Sequence, residues 1–223
     1  MATMPAELPA RQTGPDIHDW FRSEAGRAVL GNEEDAVLQA LGDRPGLPWL
    51  WFGPVPRPVP EGAGRGLYLS PDADGGWTGP VSCGLPLPLP SEAFGAVILQ
   101  HVARPRGDRG AALLGEAARL LVNGGRLWLF ALNPLAPYRW RWRGSGVGAS
   151  EPLAWRRRLR QAGLAPEAVS QGLGPAWSLR SVPAPQPGAG LRAAYLLRAE
   201  KRALPLTPVR QRRALSMATG ATA

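Results

Sequence analysis

Apolar residues recur at spacings of three and four through residues 16–41, where Trp20, Phe21, Ala28, Val29, Val37, Leu38 and Leu41 share one side of a helical projection. The pattern predicts one or two helices, with Glu33, Glu34 and Asp35 on the solvated side. Pro45 and Gly46 end this period within residues 43–48. Residues 47–52 then form a continuous apolar and aromatic run closed by Gly53, which predicts a buried strand. Beyond it Pro54, Pro56, Pro58 and Pro60 alternate with other residues, and Gly62, Gly64 and Gly66 continue the breaker pattern. Proline at every second position removes hydrogen-bond donors and forbids a helix, so the stretch reads as an extended connection. Residues 67–69 resume as a very short strand, and residues 71–80 read as a glycine-rich loop.

Leucine and proline alternate over residues 85–90 and lead into a strand at 96–100. A turn over 104–110 precedes a helix over 111–121, with Leu113, Leu114, Ala117, Leu120 and Leu121 on one face. Asn123, Gly124 and Gly125 stop that helix, since glycine accepts the left-handed conformation of a helix end. Residues 126–132 follow as a strand. Strand, helix, Gly-Gly turn and strand in that order imply a right-handed crossover and a parallel sheet. Ser150 offers an N-cap and Pro152 suits the first turn of a helix over 151–162, which Gly163 closes. Residues 164–170 and 191–199 are the last strands expected. The tail from Pro205, basic and then small and polar, reads as disordered.

With 223 residues the chain suits one ordinary domain, and 44% hydrophobic with 19% charged residues fits a folded globular protein. No apolar run approaches about 18 residues, so no membrane-spanning helix is expected. Residues 1–12 lack the apolar core of a signal peptide, which makes the cytoplasm the expected compartment. A single cysteine, Cys83, and two histidines, His18 and His101, exclude an internal disulfide and a cysteine- or histidine-rich metal centre. The net charge of +9 is unevenly spread: residues 1–120 carry −4 and residues 121–223 carry +13. A basic half attracts nucleic acid or an anionic membrane. Lys201, however, is the only lysine among 26 basic residues, and with 28 glycines and 25 prolines that bias also fits a GC-rich codon supply.

The segment from Leu87 to Pro134 carries a family pattern. Leu87, Pro88, Leu89 and Pro90 precede Phe94, Gly95 and a strand. Glu116, Arg119, Leu121, Gly124, Gly125 and Leu127 follow in fixed register, and the next strand ends in Asn133 and Pro134. This resembles the second half of a class I S-adenosylmethionine-dependent methyltransferase of the type 11 kind. Leu67-Tyr68-Leu69-Ser70-Pro71 resembles the second strand of that family, and the final pair of strands is similar to its reversed hairpin. The resemblance implies an α/β, three-layer α-β-α Rossmann-like fold, with a mostly parallel sheet and an antiparallel C-terminal strand. It spans most of residues 47–200, so the chain reads as an N-terminal helical segment over 1–46, a methyltransferase-like domain over 47–203 and a disordered basic tail over 204–223. Gly124 and Gly125 allow a tight turn, and Glu116 and Arg119 stand at helical i,i+3 spacing, so these matches argue for the fold more than for chemistry.

The cofactor end departs from the family pattern. A Gly-x-Gly-x-Gly loop and a helix should follow the first strand, because bare glycines let the backbone approach the cofactor. Here Gly53 alone remains, followed by Pro54. The acid expected on the ribose hydroxyls is Tyr68, whose phenol cannot bridge a diol as a carboxylate does. Cys83 stands where an acid should meet the adenine amine, and Gly95 replaces an aspartate. Asp72 and Asp74 lie near enough to stand in. The resemblance implies S-adenosylmethionine as cofactor, contacted by Phe52, Gly53, Tyr68, Ser70, Cys83, Gly84 and Gln100.

His101, at the end of the fourth family strand, reads either as a base for a phenol or amine acceptor or as a hydrogen-bonded loop residue. Asn133-Pro134 is similar to the Asn-Pro-Pro-Tyr motif of adenine and glutamine methylators, but it lies on the wrong strand and lacks the aromatic. Arg139, Trp140, Arg141, Trp142 and Arg143 alternate base and aromatic, either as a stacking platform for single-stranded nucleic acid or as tryptophans packed under solvated arginines. Arg156, Arg157, Arg158 and Arg160 add charge on the following helix. Trp49, Trp51 and Trp128 read as core. Cys83 reads as a reactive thiol or as a small buried hydrophobe. Two functions follow: a methyltransferase acting on an unknown acceptor, or a catalytically inactive methyltransferase-fold pseudo-enzyme serving as a binding or regulatory module, with nucleic acid as one partner.

Overall fold

The computed structural model of the chain describes residues 17–103, 108–177 and 184–202. Three short helices, α1 (Ile17–Arg22), α2 (Glu24–Asn32) and α3 (Glu34–Leu41), lead into β1 (Trp49–Phe52), β2 (Gly66–Pro71) and β3 (Trp77–Thr78). Next come β4 (Phe94–Gln100), α4 (Asp108–Leu120) and β5 (Leu121–Leu132). A 3₁₀ turn (Pro137–Arg141) precedes α5 (Pro152–Gln161), and β6 (Leu164–Pro166), β7 (Gln171–Leu173), β8 (Gln186–Pro187) and β9 (Ala194–Lys201) complete the order. One nine-stranded sheet runs β3-β2-β1-β4-β5-β9-β7-β8, with β6 also on β9. The central pairs β1–β2, β1–β4 and β4–β5 are parallel, and β9 runs antiparallel to β5. This is the expected α/β architecture with a mixed sheet.

The unbroken apolar runs of β1 and β4 follow from cover on both sheet faces. Leu50, Phe52, Val97 and Leu99 pack with Leu113, Ala117 and Leu120 of α4 and Trp155 and Leu159 of α5. On the opposite face Trp49, Trp51, Tyr68, Ile98 and Trp128 pack under Val37, Ala40 and Leu41 of α3. The tryptophans expected in the core at 49, 51 and 128 are there. A third cluster closes one end, joining Trp20, Phe21 and Val29 to Leu132, Tyr138 and Trp142. Helices therefore lie on both faces of the sheet, but the β1–β2 link has none, as its prolines require.

Several local expectations are corrected. The N-terminal helical stretch is broken twice: at Ser23, whose Oγ accepts the Gly26 N–H as an N-cap, and at Glu33 between α2 and α3. That second break turns Glu33 inward, where it is 0% exposed rather than solvated. Gly124 and Gly125 do not end α4, which stops at Leu120. Phe94 pairs with Leu121 but Ala96 pairs with Arg126, so residues 122–125 bulge from β5, with Gly124 at a φ of 77°. The Arg44 guanidinium donates to the Gly124 carbonyl and holds the bulge. The N-cap position of α5 falls to Glu151; Ser150 instead uses its backbone, donating to Leu132 and accepting from the Tyr195 hydroxyl. The strand expected over 164–170 shortens to β6, and β3, β7 and β8 are additional. Residues 1–16, the first half of the turn expected at 104–110, and the tail from 203 lie outside the described residues. Among the described residues no helix is long and apolar enough to cross a membrane, and no group of three or more potential metal ligands comes together.

Candidate functional site at the carboxyl ends of the parallel strands

Open α/β sheets take ligands outside the carboxyl ends of their parallel strands. Here those ends are Phe52-Gly53 of β1, Ser70-Pro71 of β2, Gln100-His101 of β4 and Leu132-Asn133 of β5.

At the β1–β2 half the structure brings Gly53 and Tyr68 together, but against each other. A Cβ placed on Gly53 would lie 2.1 Å from the Tyr68 hydroxyl, so the glycine makes room for the phenol. The hydroxyl donates to the Val55 carbonyl, and the ring meets Trp51 edge-on at 4.8 Å. Burial pushes the Tyr68 hydroxyl far above the usual phenol range, against a smaller opposing pull from Arg57. Phe52 faces the other side of the sheet and packs edge-on against Trp77. Ser70 is buried beneath Thr78, with its Oγ 3.5 Å from that residue's carbonyl.

Cys83 and Gly84 lie on the hairpin that β3 opens. The Cys83 backbone exchanges hydrogen bonds with Trp77, at 2.8 and 2.9 Å. Burial, with the Asp72 charge adding to it, pushes the Cys83 thiol up; that disfavours a thiolate and the reactive reading. Asp72 does not replace the missing acid: its Oδ1 accepts the Gly76 N–H and closes the β2–β3 turn. Asp74 is exposed in that turn.

The β4 half is a connected polar network. Gln100 is 1% exposed; it accepts from the Trp51 indole at 3.2 Å and donates to Glu33 Oε2 at 2.8 Å, which fixes the amide orientation. The other oxygen, Glu33 Oε1, lies 2.8 Å from His101 Nε2. His101 stacks on Phe21 at 4.8 Å and adopts a φ of 57°, a left-handed conformation that costs energy in a residue with a Cβ. Its N–H donates to the Phe130 carbonyl, which helps to hold that conformation. Nδ1 has no partner among the described residues, and neither has Trp155 Nε1. Both residues line a cavity of about 20 Å³ with Phe21, Ala131 and Ser150, space for one water. Glu33 was missed by the sequence reading, although Val29, Glu33, Val37 and Leu41 stand at successive i,i+4 positions. A lone carboxyl inside an apolar stripe was the available signal.

Asn133, excluded above as a methylator motif, is structural: its amide donates to the Gly190 and Arg192 carbonyls and its Oδ1 accepts the Leu135 N–H. Beyond it the Arg/Trp alternation divides between its two readings. Trp142 is buried, whereas Trp140 is 62% exposed in a groove of about 600 Å³ with Arg139 and Arg143. Val147 lines both this groove and the His101 cavity.

No protein-family model and no curated protein matches the sequence. Solved structures do match. A SAM-dependent methyltransferase from Thermotoga maritima is similar over 83% of this chain and 98% of its own, at 17% identity and a TM-score of 0.55. The methyltransferase in a complex with the Haloferax volcanii Trm112 methyltransferase activator covers 84% and 98%, at 14% identity and a TM-score of 0.52. Geranyl diphosphate methyltransferase, solved in complex with SAM, covers 86% and 93%, at 16% identity and a TM-score of 0.50. With the strand order and the antiparallel β9, these likenesses show that the chain has the fold of the class I S-adenosylmethionine-dependent methyltransferases.

Proposed function

We propose that the chain is a S-adenosylmethionine-dependent methyltransferase of the type 11 kind, with an altered cofactor pocket and an acceptor of unknown identity, working in the cytoplasm. The observation that carries the reading is the Glu33–His101–Gln100 network at the carboxyl end of β4, where a class I fold lines its transfer pocket. S-adenosylmethionine would supply the methyl group. The chain's own share is to hold one imidazole nitrogen on Glu33, which leaves the other as the position that takes a proton from a phenol or amine acceptor. Gly53, Tyr68, Ser70 and Gln100 lie on or next to β1, β2 and β4 toward the sheet end where the cofactor would bind; Phe52, Cys83 and Gly84 would have to reach it from the Trp77 side of the sheet.

These residues do not form the usual cofactor cradle, because the Tyr68 ring occupies the approach to Gly53. The same observation, with the helix-free β1–β2 link, favours a second reading: a methyltransferase fold retained as a binding module. Calorimetric titration of the protein and its Tyr68→Ala variant with S-adenosylmethionine and with the demethylated product separates the two. Micromolar binding to the wild-type protein supports the enzyme, and micromolar binding to the variant alone assigns the loss to Tyr68. No heat from either protein, with no thermal shift at millimolar ligand, leaves the binding module.

A further inference from the structure

We propose that the groove over residues 139–147 binds single-stranded nucleic acid, with Trp140 as the stacking face and Arg139 and Arg143 as phosphate partners. The inference stands on this surface alone and does not depend on cofactor binding. Seven of the nine tryptophans are buried; Trp140 is 62% exposed where it lines the groove, and a large indole left in water there offers a stacking surface. The chain supports it there from both sides. Tyr138 and Trp142 are buried against Trp20 and anchor the short 3₁₀ turn, so Trp140 is presented by a fixed backbone. The Arg143 and Arg139 guanidinium groups stand 4.9 and 5.7 Å from the indole centroid, the cation–π arrangement into which a base can insert.

Charge decides the class of occupant. Neither Arg139 nor Arg143 forms an ion pair among the described residues; besides the Trp140 ring, Arg139 donates to the Pro134 carbonyl, while Arg141 lies outside the groove over Tyr138. Two cations flanking one aromatic face, neither ion-paired among the described residues, match a short polyanion that also offers a base. A membrane surface is the competing occupant, since Leu135 is 65% exposed on the same loop. The concave site and the cations flanking Trp140 argue against it, because an interfacial anchor presents a continuous apolar face.

The test is fluorescence anisotropy of labelled oligouridine and oligodeoxythymidine, each about twenty nucleotides long, with the full chain between about 50 and 200 mM salt. Binding is expected to weaken with salt, and Trp140→Ala is expected to weaken it by roughly 5- to 100-fold. The double variant Arg139→Gln/Arg143→Gln should lower the log–log salt slope by about 1.4, corresponding to two phosphates of a single strand. Arg65→Gln, exposed just before β2 and so at the opposite end of the parallel strands from the groove, should change affinity less than twofold by comparison, on the order of a few tenths of a kcal/mol. Thermal unfolding checks that the variants are folded. The proposal is overturned by an absence of binding at low salt, or by groove variants that bind like the wild type. It is also overturned if uridine monophosphate competes as well as the oligomer, or if anionic phosphatidylserine vesicles bind and the oligonucleotides do not.

Discussion

Glu33 shows how one side chain can join layers of a fold. It lies between α2 and α3, yet both carboxyl oxygens are committed to β4 and the residue after it. Removing this carboxyl leaves the buried Gln100 amide and His101 ring nitrogen without a partner, at a cost of about 1–3 kcal/mol each. Glu33→Ala should therefore destabilise the chain by about 3 kcal/mol in urea unfolding. A double-mutant cycle with His101→Ala should show a coupling above about 1 kcal/mol. Additive losses would mean that the two contacts are incidental. The sequence displayed this residue only as an exception to an apolar stripe, because the break that turns it inward is set by tertiary packing rather than by local preference. Tyr68 was legible as a departure from the family pattern. That its ring would fill the space over Gly53 was not, since the proline-rich link that supplies its Val55 acceptor has no pattern from which to infer a path.

At the scale of elements, the family-like positions on α4 act as a clamp. Arg119 donates to the Leu87 and Leu89 carbonyls and to Ser91 Oγ, while Glu116 accepts the Leu87 N–H and pairs with Arg119 at 2.8 Å. The leucine–proline segment over 85–90 cannot join a sheet ladder easily, so the helix supplies its hydrogen bonds. Arg119→Ala should cost about 2 kcal/mol, seen as a fall in Tm of roughly 4–8 °C. The Arg119 hydrogen bond holds the Glu116 carboxyl below its ordinary range, against an opposing effect of burial. A lowered folded value means that the stabilisation is full above the ordinary carboxylate range and is lost as pH falls through the folded value. The stability difference between wild type and Glu116→Gln should therefore shrink on acidification below about pH 4, the ordinary range of glutamate. A difference constant with pH would remove the clamp's electrostatic part. Elements buried on both faces, β1 and β4, were legible as apolar runs. The two-residue strands β3 and β8 were not, because nothing so short carries a period.

At the scale of the molecule, the sequence separates an acidic first half from a basic second half, and the fold stitches them together. Asp43 pairs with Arg126 at 2.8 Å, Lys201 pairs with Glu92 at 3.1 Å, and Arg44 holds the Gly124 bulge. The N-terminal helices belong to this assembly. Val37, Ala40 and Leu41 cover Trp49, Trp51, Ile98 and Trp128, while Phe21 and Val29 close the end of β5. Burying a side chain of this size contributes about 1.5–3 kcal/mol, so removing several approaches the whole stability of an ordinary domain. A chain lacking residues 1–42 should consequently fail to unfold cooperatively and should expose its tryptophans, read by near-ultraviolet circular dichroism and by the emission maximum. The intact protein should show one transition by both probes. Limited proteolysis gives the opposing outcome: if cleavage near Asp43–Pro45 releases the helices while the remainder keeps a sharp transition, the sheet is self-sufficient and α3 is an accessory cover. A single transition lost on cleavage makes the helices one of the three layers, and Glu33 then reaches β4 from within the cooperative unit.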